Sequence, residues 1–117
     1  IPWSPLARGR LARTWDTTTG RSDSDAFGSS LYGRDVTEES DRAVVTAVAE
    51  VAAARGTSMA RVALAWVLSH PGVTAPIVGA TRAAHLDDAV AALDIELTAD
   101  ELQRLTEPYI PHQPAGF

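Results

Sequence analysis

An α/β fold with parallel strands is what this sequence predicts, and three observations carry it. Short β-branched runs alternate with stretches of helical periodicity, in the order strand, long loop, helix, helix, strand, helix, helix; this alternation is the pattern of βαβ units. The composition is globular, with 45% hydrophobic and 21% charged residues in a chain of 117, a length that bounds the answer to one domain. The third observation is a shortage. Two strand candidates do not make a sheet, so their neighbours have to come from further chain or from another copy.

Each element has its own justification. Ile1 to Leu6 reads as a short strand that runs into a Ser-Pro turn. Because Ile1-Pro2-Trp3 looks like the middle of a strand, the chain reads as a piece of something longer. Residues 12 to 35 are rich in Thr, Ser, Asp and Gly and read as a long loop, of a length that tends to be functional. Trp15, Phe27, Leu31 and Tyr32 suggest that this loop packs against something. A helix is expected over Glu38 to Arg55, with Thr37 as its N-cap, Glu38 and Glu39 at the positive end of the helix dipole and Gly56 as its left-handed stop. Its apolar stripe is Val44, Val48 and Val51. Ser58 caps the next helix, whose apolar residues Met59, Val62, Ala63, Trp66 and Val67 recur at helical spacing until Pro71-Gly72. Val73 to Val78 is a strand buried on both faces if the sheet is parallel, although Pro76 removes one ladder donor. A third helix runs from about Arg82 to Leu93. Thr98-Ala-Asp-Glu101 is a capping box with Leu97 and Leu102 as hydrophobic staple, and it opens a last helix that ends near Glu107. The tail from Pro108 is too proline-rich to continue it.

Composition also excludes functions. There is no cysteine, hence no disulfide, thiolate metal site or cysteine nucleophile. A net charge of −5 repels nucleic-acid backbones, and no apolar run reaches the roughly 18 residues of a membrane-spanning helix. No secretory signal pattern is visible at the start. One local contrast stands against the acidic sum: Arg8, Arg10 and Arg13 cluster where a small anion can bind.

Two segments carry candidate chemistry. In Trp3-Ser4-Pro5-Leu6-Ala7-Arg8-Gly9-Arg10, just past a strand end, Ser4 offers a hydroxyl, Gly9 permits close approach, Arg8 and Arg10 offer planar forks for phosphate, and Trp3 offers a flat face for a heteroaromatic ring. The bland alternative is an ordinary Ser-Pro turn with solvated arginines. In Ile77-Val78-Gly79-Ala80-Thr81-Arg82 a strand ends, the backbone turns and a helix N-terminus follows, an arrangement that suits an anion. His85 and Asp88 lie one and two turns further on the same face. Here the alternative is that Thr81 is simply an N-cap and Arg82 a surface residue.

Together these segments resemble the aldo-keto reductases. Ser-Pro-Leu-Ala-Arg-Gly-Arg-Leu from Ser4 resembles the family's seventh-strand motif. Val-Ala-Leu-Ala-Trp-Val-Leu at 62 to 68 is similar to the helix before the eighth strand. Pro-Ile-Val-Gly-Ala-Thr-Arg with His85-Leu86-Asp87-Asp88 resembles the eighth strand and the helix that follows. The closing residues look like the C-terminus of the branch related to potassium-channel β subunits. The resemblance covers essentially the whole chain and implies the C-terminal third, last two strands with their helices, of a (β/α)8 barrel that carries NADP(H) and reduces small carbonyl substrates in the cytoplasm. It divides the chain into the seventh strand and pyrophosphate loop (1–11), a long loop (12–37), and helices, eighth strand and tail (38–117).

The resemblance also assigns residues. Trp3 takes the place that stacks on the nicotinamide; Ser4, Pro5, Leu6, Ala7 and Arg8 match the segment along the pyrophosphate; Gly79, Thr81 and Arg82 match the turn that grips the 2′-phosphate; His85 and Asp88 match contacts to the adenosine. Ala89 stands where an Asn is usual, which removes one adenine contact. Trp15 is a candidate for the substrate-pocket wall, or packs over the barrel rim. The family's catalytic Asp, Tyr, Lys and His have no match. The chain has no lysine at all, Tyr32 and Tyr109 sit in loop and tail, and His70, His85 and His112 read as caps or surface residues. The chain alone is therefore expected to be inactive and to need the remaining barrel or another copy as partner. Two other functions stay open, a stand-alone nucleotide-binding or regulatory module and a structural, strand-pairing piece.

Overall fold

No Gly or Pro interrupts residues 34 to 55, and this stretch forms one helix, α1 (Arg34–Arg55), in the computed structural model, which describes residues 1–15 and 34–111. The helix starts four residues before the expected Glu38, so Thr37 lies inside it and not at its cap. Gly56 stops it as expected, with φ +65. Gly56 N–H donates to Ala53 O at 3.1 Å and Thr57 N–H to Ala52 O at 3.0 Å, the paired closure of a Schellman motif. Ser58 then opens α2 (Met59–Leu68) by accepting from the Arg61 N–H. The other helices are α3 (Ala83–Ala91), followed by a 3-10 turn Ala92–Asp94, and α4 (Ala99–Thr106). Phe27, Leu31, Tyr32 and His112 lie outside the described residues.

The core sits where α1, α2 and α4 meet. Ala47, Val48, Val51 and Ala52 of α1 pack on Val62 and Ala63 of α2 and Leu105 of α4, with Leu6, Leu11, Met59, Trp66 and Leu97 at its margin. The stripe read from the sequence is the buried one, with Val44 only half-buried. Each buried Val or Leu contributes about 1.5–3 kcal/mol of transfer free energy, and the alanines let the helices approach closely.

Polar ties fix α4. Thr98 and Glu101 form the expected capping box. Glu101 also receives the end of α1. Arg55 Nε lies 2.9 and 3.0 Å from its two oxygens and Nη2 2.8 Å from Oε2, while Nη2 also donates to Glu96 O at 2.6 Å. The hydrogen bond from Arg55 holds the Glu101 carboxyl below the usual glutamate range against the opposing effect of burial, with a lesser contribution from the Thr98 N–H. At the other end of α4, Trp66 Nε1 donates to Thr106 Oγ1 at 3.1 Å and Ser40 Oγ to Pro108 O at 2.7 Å.

The two expected strands look different. Over Ile1 to Leu6 and Val73 to Val78 the described residues hold one isolated parallel bridge, Trp3 to Ile77, with Ile77 N–H donating to Pro2 O at 2.8 Å. A helix closes its hydrogen bonds within itself, whereas a strand takes them from neighbours. Here each segment has only the other, and Pro76 has no N–H to give.

Candidate functional site

The bridge between Trp3 and Ile77 is parallel, so both segments leave it in the same direction. The Ser4 to Gly9 loop and the Gly79 to Arg82 turn therefore emerge at one edge. The first is bent hard. Ser4, Ala7 and Arg8 have φ of 50, 48 and 56 and Gly9 of 86, all left-handed. The loop closes on itself through Ala7 N–H to Ser4 O (2.9 Å), Gly9 N–H to Leu6 O (3.0 Å) and Leu11 N–H to Leu6 O (3.2 Å). A left-handed non-glycine residue costs on the order of 1–2 kcal/mol, and such residues cluster at ligand sites.

Arginines hold this shape. Arg13 Nη1 donates to Gly9 O at 2.6 Å, and a Cβ at Gly9 would meet that Nη1 at 2.6 Å, so Gly9 is needed for the left-handed turn and for the close approach of Arg13. Arg10 Nη1 donates to Trp15 O at 3.1 Å, and its guanidinium lies 4.0 Å from the Trp15 ring centre. Arg42 of α1 lies 5.1 Å from the same ring. Arg10, read as a phosphate fork, is thus engaged in holding Trp15, because cation–π stacking and a carbonyl lie within its reach. Arg8 is half-buried, and Trp3 is 59% exposed.

In the second segment Gly79, Thr81 and Arg82 are exposed. A Cβ at Gly79 would meet nothing within 4 Å, so no protein atom there requires a glycine. The N-cap of α3 is Arg82, with extended backbone and no side-chain cap, and not Thr81. Thr81 turns to His85 instead. Its N–H and Oγ1 both lie 3.4 Å from Nδ1. Asp88 is drawn to α2, where Arg61 Nε donates to Oδ1 at 2.7 Å. Behind the loop, Pro5, Leu11, Val44, Val48, Trp66 and Leu105 help line an apolar cavity of about 240 Å³.

Pro5, Leu6 and Ala7 thus belong to the same bend as Ser4 and Arg8, while His85 and Asp88 stand along the first turns of α3. Sequence reasoning missed Arg61. The signal was available, since it is the single charged residue of an otherwise apolar helix.

The model of the aldo/keto reductase family matches residues 1–110. This chain belongs to the aldo/keto reductase family. It is 49% identical over 112 residues to a versiconal hemiacetal acetate reductase of Aspergillus parasiticus, covering 95% of this chain and 32% of that protein. It is 42% identical to a putative aryl-alcohol dehydrogenase of Saccharomyces cerevisiae, covering 97% and 32%, and 43% identical to an aldo-keto reductase of Metarhizium robertsii, covering 99% and 30%. The chain spans about a third of the length of the curated relatives it matches. No helix among the described residues is long and apolar enough to cross a membrane.

Proposed function

We propose that this chain is the C-terminal part of a (β/α)8 aldo/keto reductase barrel, working in the cytoplasm on small carbonyl substrates, and that it forms the wall on which NADP(H) lies. The single observation that carries the reading is the parallel Trp3–Ile77 bridge, which brings two anion-suited turns to one edge. The reductase and dehydrogenase names of its relatives support the chemistry.

The residues fit such a dinucleotide. The left-handed bend from Ser4 to Gly9 sets the hydroxyl of Ser4 and the charge of Arg8 on one tight turn, a pairing that suits a pyrophosphate. Pro5, Leu6 and Ala7 shape that bend, and Trp3 presents an exposed face to a nicotinamide ring. Gly79, Thr81 and Arg82 stand at an uncapped helix N-terminus, where free N–H groups and a guanidinium suit a 2′-phosphate. His85 and Asp88 follow toward the adenosine, and Trp15, fixed between two arginines, walls the substrate side. When bound, the cofactor supplies the hydride. These residues bind and orient it. Proton donation falls to residues outside this chain, which has no lysine and is inactive alone. We assign residues 1–11 to the seventh strand and pyrophosphate loop, 12–37 to the loop and 38–117 to the helices, eighth strand and tail. The exposed Ile1, Leu86, Val90 and Leu93 receive the rest of the barrel, or a second copy in its absence.

Titration of tryptophan fluorescence with NADPH and NADH tests this. NADPH is expected to bind roughly 10- to 150-fold more tightly, and Arg82→Ala to remove most of that preference by weakening NADPH alone. Equal affinities for the two cofactors would refute the reading.

A further inference from the structure

Among the described residues three arginine–carboxylate pairs join helices, Arg55–Glu101, Arg104–Glu50 and Arg61–Asp88, and the first and the last are made differently. Arg55 grips Glu101 with two nitrogens and engages both carboxylate oxygens, one of which also accepts from the Thr98 N–H. That carboxylate is fully used inside the protein. Arg61 touches Asp88 through Nε alone, at 2.7 Å from Oδ1, and the Asp88 side chain has no other hydrogen bond or ion pair among the described residues. Its Oδ2 is left to accept from something else. The pair is only half-exposed, with side chains 37% and 24% accessible.

The surroundings of α3 make this contact consequential. The helix buries no residue fully, Leu86 and Val90 face outward, and its N-cap lacks a side-chain bond. Among the described residues, Arg61–Asp88 is the one side-chain hydrogen bond that ties α3 to another element.

We propose that Arg61 is a positioning residue for the nucleotide. Its Nε holds Oδ1 of Asp88, fixes that side chain in one rotamer and leaves Oδ2 to accept from the adenine amino group. The inference rests on the reading of the edge as an NADP(H) wall. A merely structural pair would steady α3 and serve every ligand alike, whereas a positioned acceptor distinguishes an adenine that donates from one that does not.

The experiment is calorimetric binding of NADP⁺ and of etheno-NADP⁺, whose adenine amino group is closed into a ring and no longer donates, to the protein and to Arg61→Gln, Arg61→Lys and Asp88→Asn. The protein is expected to favour NADP⁺ by about fivefold. Arg61→Gln should bring the two ligands to equal affinity, Arg61→Lys should keep most of the difference, and Asp88→Asn, nearly isosteric, reads the same contact should Arg61→Gln fold poorly. Undiminished discrimination in Arg61→Gln, or equal weakening of both ligands with a parallel loss of melting temperature, would overturn the inference and leave the NADP(H) reading standing. Failure of the unaltered protein to bind either ligand would overturn both.

Discussion

Val62, in the middle of α2, is 0% exposed, and Ile77, at the bridge, is 59% exposed, although both are β-branched apolar residues in runs of similar composition. The helical region is closed. Its backbone bonds are internal, its ends are capped by Ser58, Gly56 and Thr98, and its side chains find one another across α1, α2 and α4. The bridged edge is open. It has one ladder contact, a strained loop, and Ile1, Trp3, Ile77 and Val78 at the surface. The difference teaches that apolar composition alone does not bury a residue. Burial follows where a segment can satisfy its own backbone first, and a strand cannot do so without neighbours.

The contrast can be tested from both sides. Val62→Ala is expected to lower unfolding free energy by about 2 kcal/mol, because two carbons leave a packed site. Ile77→Ser should stay within about 0.5 kcal/mol, and a urea titration of both variants measures the gap. A comparable loss at Ile77 would mean that the edge is as closed as the core. Association should behave in the opposite way. The outward stripe Leu86, Val90 and Leu93 favours self-contact of the chain, so Leu86→Ser should reduce the mass found by light scattering while leaving far-UV dichroism unchanged. A chain that is already monomeric before the change would show that the stripe needs no cover.

The smallest effect concerns the closed region. The carboxyl of Glu101 is held below its ordinary value by Arg55, so this pair contributes fully above the unfolded-state pKa of a glutamate, roughly 4.3, and the contribution is lost as pH falls through the lower folded value. The loss is expected to be below about 1 kcal/mol, because the pair is close to solvent. Melting temperature followed from pH 6 to pH 3 should fall more steeply in the natural chain than in Glu101→Gln. Parallel curves would remove the pair from the account.

Legibility in the sequence follows the same division. The caps at Ser58 and Thr98 and the stop at Gly56 were readable because their signals lie within three or four residues of what they act on. The stripe of Val48 and Val51 was readable from its period. The start of α1 was not, since Thr37 followed by Glu38 and Glu39 carries the signal of a cap and yet lies inside the helix. The strands were read by composition, but their pairing depends on non-local neighbours that no local pattern contains. At the candidate site, residue types pointed to the Ser4–Arg8 loop and the family resemblance named it. Its left-handed backbone was invisible, because Ala7 and Arg8 do not advertise positive φ as a glycine does. Arg10 and Arg13 looked like a free cationic cluster, while their partners are carbonyls and the Trp15 ring, which charge counting does not register.

The run of left-handed residues has a consequence for how this loop is allowed to change. At positions 4, 7 and 8 the backbone itself acts as a filter, admitting glycine, asparagine, aspartate and small residues and rejecting valine, isoleucine and threonine, whatever the loop happens to hold. Drift at these sites is confined to a narrow alphabet. A substitution there that abolishes function speaks first about torsion angles. Only a replacement compatible with positive φ, such as asparagine for Arg8, separates the part played by the side chain from the part played by the bend.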